Sequence, residues 1–253
     1  RAYSYDPRSN LSKNFDSTNG SNTVLMEYGG RKKETRQLGM AAKFPVRNTD
    51  AVSLMCHGYF PEISRKSPFM AAYLAVYDAV TRTVAMGSKL DDIRLSLQEY
   101  FPTTKNDPER FGTVFSAMLG AFRAMDELDL AAIGGKDSMS GSFNDIDVPP
   151  SLVAFAVSHT RMDSLVSREF KSKDSLVYMT NLRLDGQLVE KDSYKETIKA
   201  YENLLEEGIV KAASTVKKEG LEETFREMAR GNEIGYKIYE NWDHAYCPGM
   251  IIF

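Results

Sequence analysis

The chain is poor in the residues that build covalent or metal frameworks: two cysteines, three histidines and one tryptophan in 253 residues. Cys56 and Cys247 stand far apart, with no Cys-x-x-Cys or Cys/His spacing. That argues against a disulfide framework or a structural zinc site and fits a reduced, cytoplasmic setting. An excess of charge of one sign is missing too. Lys+Arg number 32 against Asp+Glu 35, a net charge of -3, and no dense basic run offers the counterion-releasing surface of a nucleic-acid binder. No apolar run approaches the roughly 20 residues that cross a bilayer, and no charged start with an apolar stretch and cleavage site marks secretion. What is present is a 42% hydrophobic content on a length that buries a core, enough for one large or two ordinary domains. The chain starts at Arg1 and stops on the apolar Gly249-Met250-Ile251-Ile252-Phe253, so both ends read as cut from something longer.

Residues 1–39 are polar and turn-rich, a linker with an entry strand at Val24-Leu25-Met26. Ala51 to Met55 reads as a short buried strand by its β-branched content. Ser67-Pro68 supplies an N-cap with proline in the first turn and Gly87 a stop, which predicts a helix over Pro68 to Met86. Behind Asp107-Pro108, Phe111, Val114, Phe115, Met118, Phe122 and Met125 recur at helical spacing, and this aromatic and methionine stripe is expected in the core. Then come an apolar segment Leu130 to Ile133, a loop Gly134 to Pro150, and Leu152 to Val157, an apolar run suited to a strand buried on both faces. A domain boundary is expected at Pro149-Pro150, leaving 40–150 and 151–253 as two α+β domains. In the second, Ser175 to Thr180, Ile234 to Tyr239 and Met250 to Phe253 are strand candidates. Asp192 to Glu207 and Leu221 to Arg230 are helices closed by Gly208 and Gly231.

Chemistry concentrates in Gly134-Gly135-Lys136-Asp137-Ser138-Met139-Ser140-Gly141-Ser142. Glycines allow close backbone approach, amides and hydroxyls hold phosphate oxygens, and lysine adds a point charge. The spacing is not that of a Walker A loop, and the same composition also suits a solvated turn between strands. His57, His159 and His244 have no partner at metal or triad spacing, Asp78 and Arg82 suit an exposed ion pair on a helix, and Cys56 reads as a small buried hydrophobe.

Several longer words occur in one order: Phe15-Asp16-Ser17-Thr18-Asn19-Gly20, Tyr28-Gly29-Gly30-Arg31, Ala42-Lys43-Phe44-Pro45-Val46, Ser67-Pro68-Phe69, Gln98-Glu99-Tyr100-Phe101-Pro102, Ile133 to Phe143, and Val148-Pro149-Pro150-Ser151-Leu152-Val153. The chain resembles the phosphoribosylformylglycinamidine synthase family in its long single-chain form, over nearly its whole length and most specifically from Ile133 to Val153. The match is to the second of two related halves, each built of an aminoimidazole-ribonucleotide-synthetase-like N domain and C domain. The resemblance implies a purine-pathway ligase that uses ATP, Mg2+ and glutamine to convert formylglycinamide ribonucleotide to the amidine, by phosphorylation of the amide oxygen and attack of ammonia. It implies partners, a first synthetase half and a glutaminase domain, and an isolated piece without activity. A second copy of the chain is a further partner to consider, while nucleic acid and membrane are not. No catalytic residue is assigned here, because the family's catalytic histidine and glutaminase triad lie outside this chain. By resemblance Gly134, Gly135, Lys136, Asp137, Ser138 and Ser140 hold substrate.

The same resemblance implies a second nucleotide pocket, matched here by Asn48, Asp50, Asp78, Arg82 and Lys218. The family's metal ligands follow a Pro-Val segment, sit on a helix as Glu-x-x-x-Asn, and lie in a Ser-Asp-Gly-Gly turn. This chain places Asn48, Asp78 with Arg82, and Val216-Lys217-Lys218-Glu219-Gly220 there. Cations where oxygens belong oppose magnesium, so no metal ligand is assigned and the pocket reads as decayed. Phe69-Met70-Ala71-Ala72 also replaces the more usual Tyr-His-Gly-Ala. Two other readings stand beside the ligase: a pairing module with a dead pocket, and a stand-alone relative such as a selenophosphate synthetase or thiamine-phosphate kinase.

Overall fold

In the computed structural model, residues 11, 12, 14, 22–216, 219–238 and 249–253 are described. The stretch Phe15 to Gly20, Lys217, Lys218, His244 and Cys247 lie outside them. The first strands are β1 (Thr23–Leu25), β2 (Tyr28–Gly29), β3 (Thr35–Arg36), β4 (Met40–Lys43) and β5 (Ala51–Gly58). A one-turn helix α1 (Pro61–Ser64) leads to α2 (Pro68–Ala85), then β6 (Arg94–Tyr100), α3 (Pro108–Leu128), β7 (Ala132–Lys136), a hairpin of β8 (Ser142–Phe143) and β9 (Ile146–Asp147), and β10 (Ser151–Arg161). The C-terminal part adds β11 (Leu184–Asp185), β12 (Leu188–Val189), α4 (Lys191–Glu206), β13 (Ser214–Thr215), α5 (Leu221–Arg230) and β14 (Ile251–Ile252).

Six strands form the main sheet in the order β1-β4-β5-β10-β6-β7, antiparallel throughout except for the parallel pair β6 and β7. Helix α2 starts where its caps require: the Ser67 hydroxyl accepts from the Met70 amide at 3.2 Å, Pro68 opens the first turn, and Gly87 leaves it at φ 105°. It is buried on nearly every side, between the sheet, α3 and α4. Two glycines permit this. A Cβ on Gly58 would stand 2.0 Å from the Ala75 carbonyl oxygen, and one on Gly120 would stand 2.0 Å from that of Phe69. A chain of aromatic rings, Tyr73 to Tyr77 at 4.9 Å and Tyr77 to Tyr194 at 5.0 Å, then ties the sheet-bound helices to α4.

Five expectations change. The α3 stripe is core only in part: its Val114 is buried with Ala117, Ala121 and Ala124 and its Met125 packs against the core, whereas Phe111, Phe115, Met118 and Phe122 face outward. The small residues are what let α2 approach, so they claim the packed face. Strand β10 alternates buried with half-exposed residues and is not buried on both faces. It pairs with β6 as far as Val157 and with β5 as far as Arg161, so the strand that follows Pro149-Pro150 belongs to the same sheet as β5 and β6. Gly134 to Lys136 form strand, not loop. Ser175 to Thr180 contributes one isolated bridge, Met179 to Ile252, plus backbone bonds from Tyr178 and Thr180 to the last residues, and 234–238 form no strand.

Candidate substrate-binding site

The glycine segment sits on the rim of the sheet. Leu97 pairs with Gly135 and Gln98 with Lys136 in the parallel ladder, and all five residues of β7 are exposed. Beyond the strand the chain stays tethered: the Phe101 amide donates to the Ser138 carbonyl at 2.8 Å and the Gly141 amide to that of Phe101 at 2.9 Å. A Cβ on Gly135 would lie 2.7 Å from the Leu97 oxygen, and one on Gly141 would lie 2.3 Å from Val148, so both glycines are sterically required. The Lys136 ammonium donates to the Asp137 carbonyl at 2.7 Å, and the Ser138 and Ser140 hydroxyls bond each other at 2.8 Å. Gly134, Gly135, Lys136, Asp137, Ser138 and Ser140 are thus brought together, as amides, hydroxyls and one ammonium on an open rim. A donor set of this chemistry suits an oxyanion.

Two features behind this segment were not singled out from sequence. Continuing the register sets Glu99 beside Asp137. Glu99 is buried, and burial first, then the neighbouring Asp137 carboxylate, raises its carboxyl above the ordinary glutamate range. The hairpin of β8 and β9 is pinned to the first turn of α3 by Arg110, which bonds Asp147 at 2.6 Å. Ser142 accepts from the Thr103 amide at 2.9 Å and donates to Asp147. The Ser142 hydroxyl, then Arg110, hold Asp147 below the usual carboxylate range. The wording Gln98-Glu99-Tyr100 carried the only sequence signal for Glu99.

The described residues matched to the second candidate pocket lie at separate places in the fold. Asp78 and Arg82 pair at 2.9 Å, but Asp78 is 4% exposed, so the pair is internal rather than the surface pair expected from spacing. Helix α2 is enclosed on nearly every side, which the i,i+4 pattern does not register. Asp50 pairs with Arg161 at the start of β5. Cys56 and His57, the β5 residues that feel Asp78 and Arg82, lie roughly 20 Å along the strand from it. Burial pushes the Cys56 thiol up to about 12, in keeping with an inert buried hydrophobe. Asn48 occupies an exposed left-handed turn at φ 56°. Lys218 is outside the described residues. A magnesium nucleotide therefore does not fit the matched positions: Asp78 is taken by Arg82, and Asp50 by Arg161. Among the described residues no three His, Cys, Asp or Glu side chains gather as metal ligands, and no helix is long and apolar enough to cross a membrane.

The chain has the aminoimidazole-ribonucleotide-synthetase-like fold. No protein-family model and no curated protein matches the chain. Solved structures do. PurL, the phosphoribosylformylglycinamidine synthase II of Thermotoga maritima, complexed with ADP, is similar with a TM-score of 0.66 at 17% identity, over 100% of this chain and 38% of that one. The same protein complexed with FGAR gives 0.63 at 16% identity, over 92% and 34%. AaThiL complexed with AMPPCP and TMP gives 0.56 at 11% identity, over 86% and 78%. The chain thus spans little more than a third of the length of the PurL structures.

Proposed function

We propose that this chain is the second synthetase half of a purine-pathway formylglycinamidine synthase, an ATP-dependent carbon–nitrogen ligase, and that its rim segment holds the phosphate end of formylglycinamide ribonucleotide. The observation that carries the reading is the convergence of Gly134, Gly135, Lys136, Ser138 and Ser140 on one exposed sheet edge, tethered to the core through Phe101. Its resemblance to the synthase wording and its likeness to the PurL structures support it.

In this reading the backbone amides and hydroxyls orient the phosphate, Lys136 neutralises it, and a first synthetase half brings the groups that transfer phosphoryl to the amide oxygen. Ammonia, drawn from glutamine by a glutaminase domain, then displaces that phosphate to give the amidine. This chain supplies positioning, so alone it is inactive. Binding lost uniformly from ground and transition states raises KM without lowering kcat. Lys136→Ala and Ser138→Ala in the full-length enzyme are therefore expected to raise the KM for the ribonucleotide about 10-fold or more, the worth of a charge-assisted hydrogen bond, with kcat within about twofold. Unchanged KM in both variants would leave the segment a solvated turn.

A further inference from the structure

Helix α3 carries an apolar seam that no described residue of the chain covers. Phe111, Phe115, Met118, Leu119 and Phe122 are between 43% and 62% exposed. Four of them, Phe111, Phe115, Met118 and Phe122, are spaced 4, 3 and 4 residues apart, which is the spacing of a helix–helix seam rather than of scattered surface residues. The seam continues onto the β8–β9 hairpin, where the cross-strand pair Phe143 and Ile146 is 74% and 66% exposed and Arg110 holds the hairpin against the first turn of α3.

We propose that this surface is a two-fold interface in which α3 packs antiparallel against α3 of a second copy of the chain. The 4-3-4 spacing reads the same in both directions, so a two-fold axis sets Phe111 of each copy against Phe122 of the other and Phe115 against Met118, the self-complementarity an isologous contact demands. The flank agrees in shape. Gly112 and Leu119 lie on the same side of the seam, one heptad apart, and antiparallel pairing places each Leu119 over the other copy's Gly112. That glycine is a notch: a Cβ added to it meets nothing within 4 Å. No charged side chain interrupts the seam, and antiparallel helices align their dipoles favourably. The area suffices. Five half-exposed large side chains give about 500 Å² per copy, and the hairpin raises this to about 800 Å², the size of a standard specific interface. The proposal goes beyond the functional reading above and needs none of its ligands.

Sedimentation equilibrium of the 253-residue chain between 1 and 100 µM tests it, with two variants. Phe115→Glu places a charge in the seam. Gly112→Leu fills the notch that must receive Leu119, at a site where the monomer has open space and leucine favours helix over glycine. The wild-type chain is expected to sediment at twice the monomer mass. Both variants are expected to raise the dissociation constant more than 30-fold, and circular dichroism melts of Gly112→Leu are expected to remain at or above wild type. A wild-type chain that stays monomeric at 100 µM overturns the interface, and so does a dimer that survives either substitution, since it would lie on another face. Loss or retention of ribonucleotide binding has no bearing on these outcomes, so the two proposals fail separately.

Discussion

Replacing Glu127 by alanine removes the acceptor around which α2, α3 and the strand before α4 are joined. Glu127 is buried in the last turn of α3, where one carboxylate oxygen accepts from the Tyr73 hydroxyl at 2.8 Å and the Tyr77 hydroxyl at 3.0 Å, and the other from Arg123 Nε at 2.6 Å. Both phenols are fully buried, and burial pushes both far above the ordinary tyrosine range, so each stays protonated and must donate. Tyr73 retains a long bond to the Val189 carbonyl at 3.4 Å, whereas the remaining network has no charged acceptor for Tyr77. Hydrogen bonds to a charged group contribute about 1.5–3 kcal/mol, and a buried donor left short of a partner costs about 1–3 kcal/mol. Arg123 is more than half exposed, so solvent screens its ion pair and it adds little. Glu127→Ala is thus expected to cost about 3–4 kcal/mol, a fall of about 8–12 °C in Tm for a chain of this size. The assay is chemical and thermal denaturation followed by circular dichroism, repeated in a Tyr73→Phe, Tyr77→Phe background. There the same substitution should be nearly neutral, because the carboxylate would otherwise be a buried charge without its donors. A loss below 1 kcal/mol in the wild type, or an equal loss in the phenylalanine background, would mean that packing alone holds these helices together.

Two further outcomes concern the close contacts and the rim. Gly120→Ala would put a methyl group 2.0 Å from the Phe69 carbonyl oxygen, so it should destabilise by about 1–3 kcal/mol despite the roughly 1 kcal/mol that alanine gains in a helix, and a higher urea midpoint would refute the contact. Glu99, whose folded carboxyl is raised by burial and by Asp137, contributes stability that is complete below the ordinary glutamate range and is lost as pH rises through its raised value. Glu99→Gln should therefore match wild type near pH 4 and exceed it at pH 7 in urea midpoints; a difference that does not vary with pH would show that the carboxyl is not perturbed.

Much of the helical framework was legible because its signals are local. Ser67-Pro68 and Gly87, Asp107-Pro108, Gly208 and Gly231 each act within a turn of the helix end they set, and α2 to α5 begin and end at or within a few residues of those punctuation marks. The rim segment was legible in composition, since glycine, serine and lysine together carry their chemistry wherever they are placed. Its strand character was not: Gly134-Gly135-Lys136 has no strand propensity, and only pairing with Leu97 and Gln98 extends it. Strand β10 looked enclosed because its residues are apolar, yet Val153, Phe155 and Val157, alternating with its buried residues, are only half-buried.

The sequence by itself determined which segments become helices, where they stop, and which short stretch gathers glycines, hydroxyls and a lysine, because caps, breakers and functional groups act over a few residues. Only the tertiary structure decided what each face meets. Periodicity marks Phe111, Phe115, Met118 and Phe122 as sharing a face, but whether that face is buried depends on the alanines and Gly120 on the other side, which let α2 approach and take the core for themselves. In the same way, spacing pairs Asp78 with Arg82, and the enclosure of α2 alone turns a surface ion pair into an internal one that occupies the carboxylate a metal would need. Contacts between residues far apart in the chain follow from which surfaces close together, and that is a property of the whole fold rather than of any segment in it.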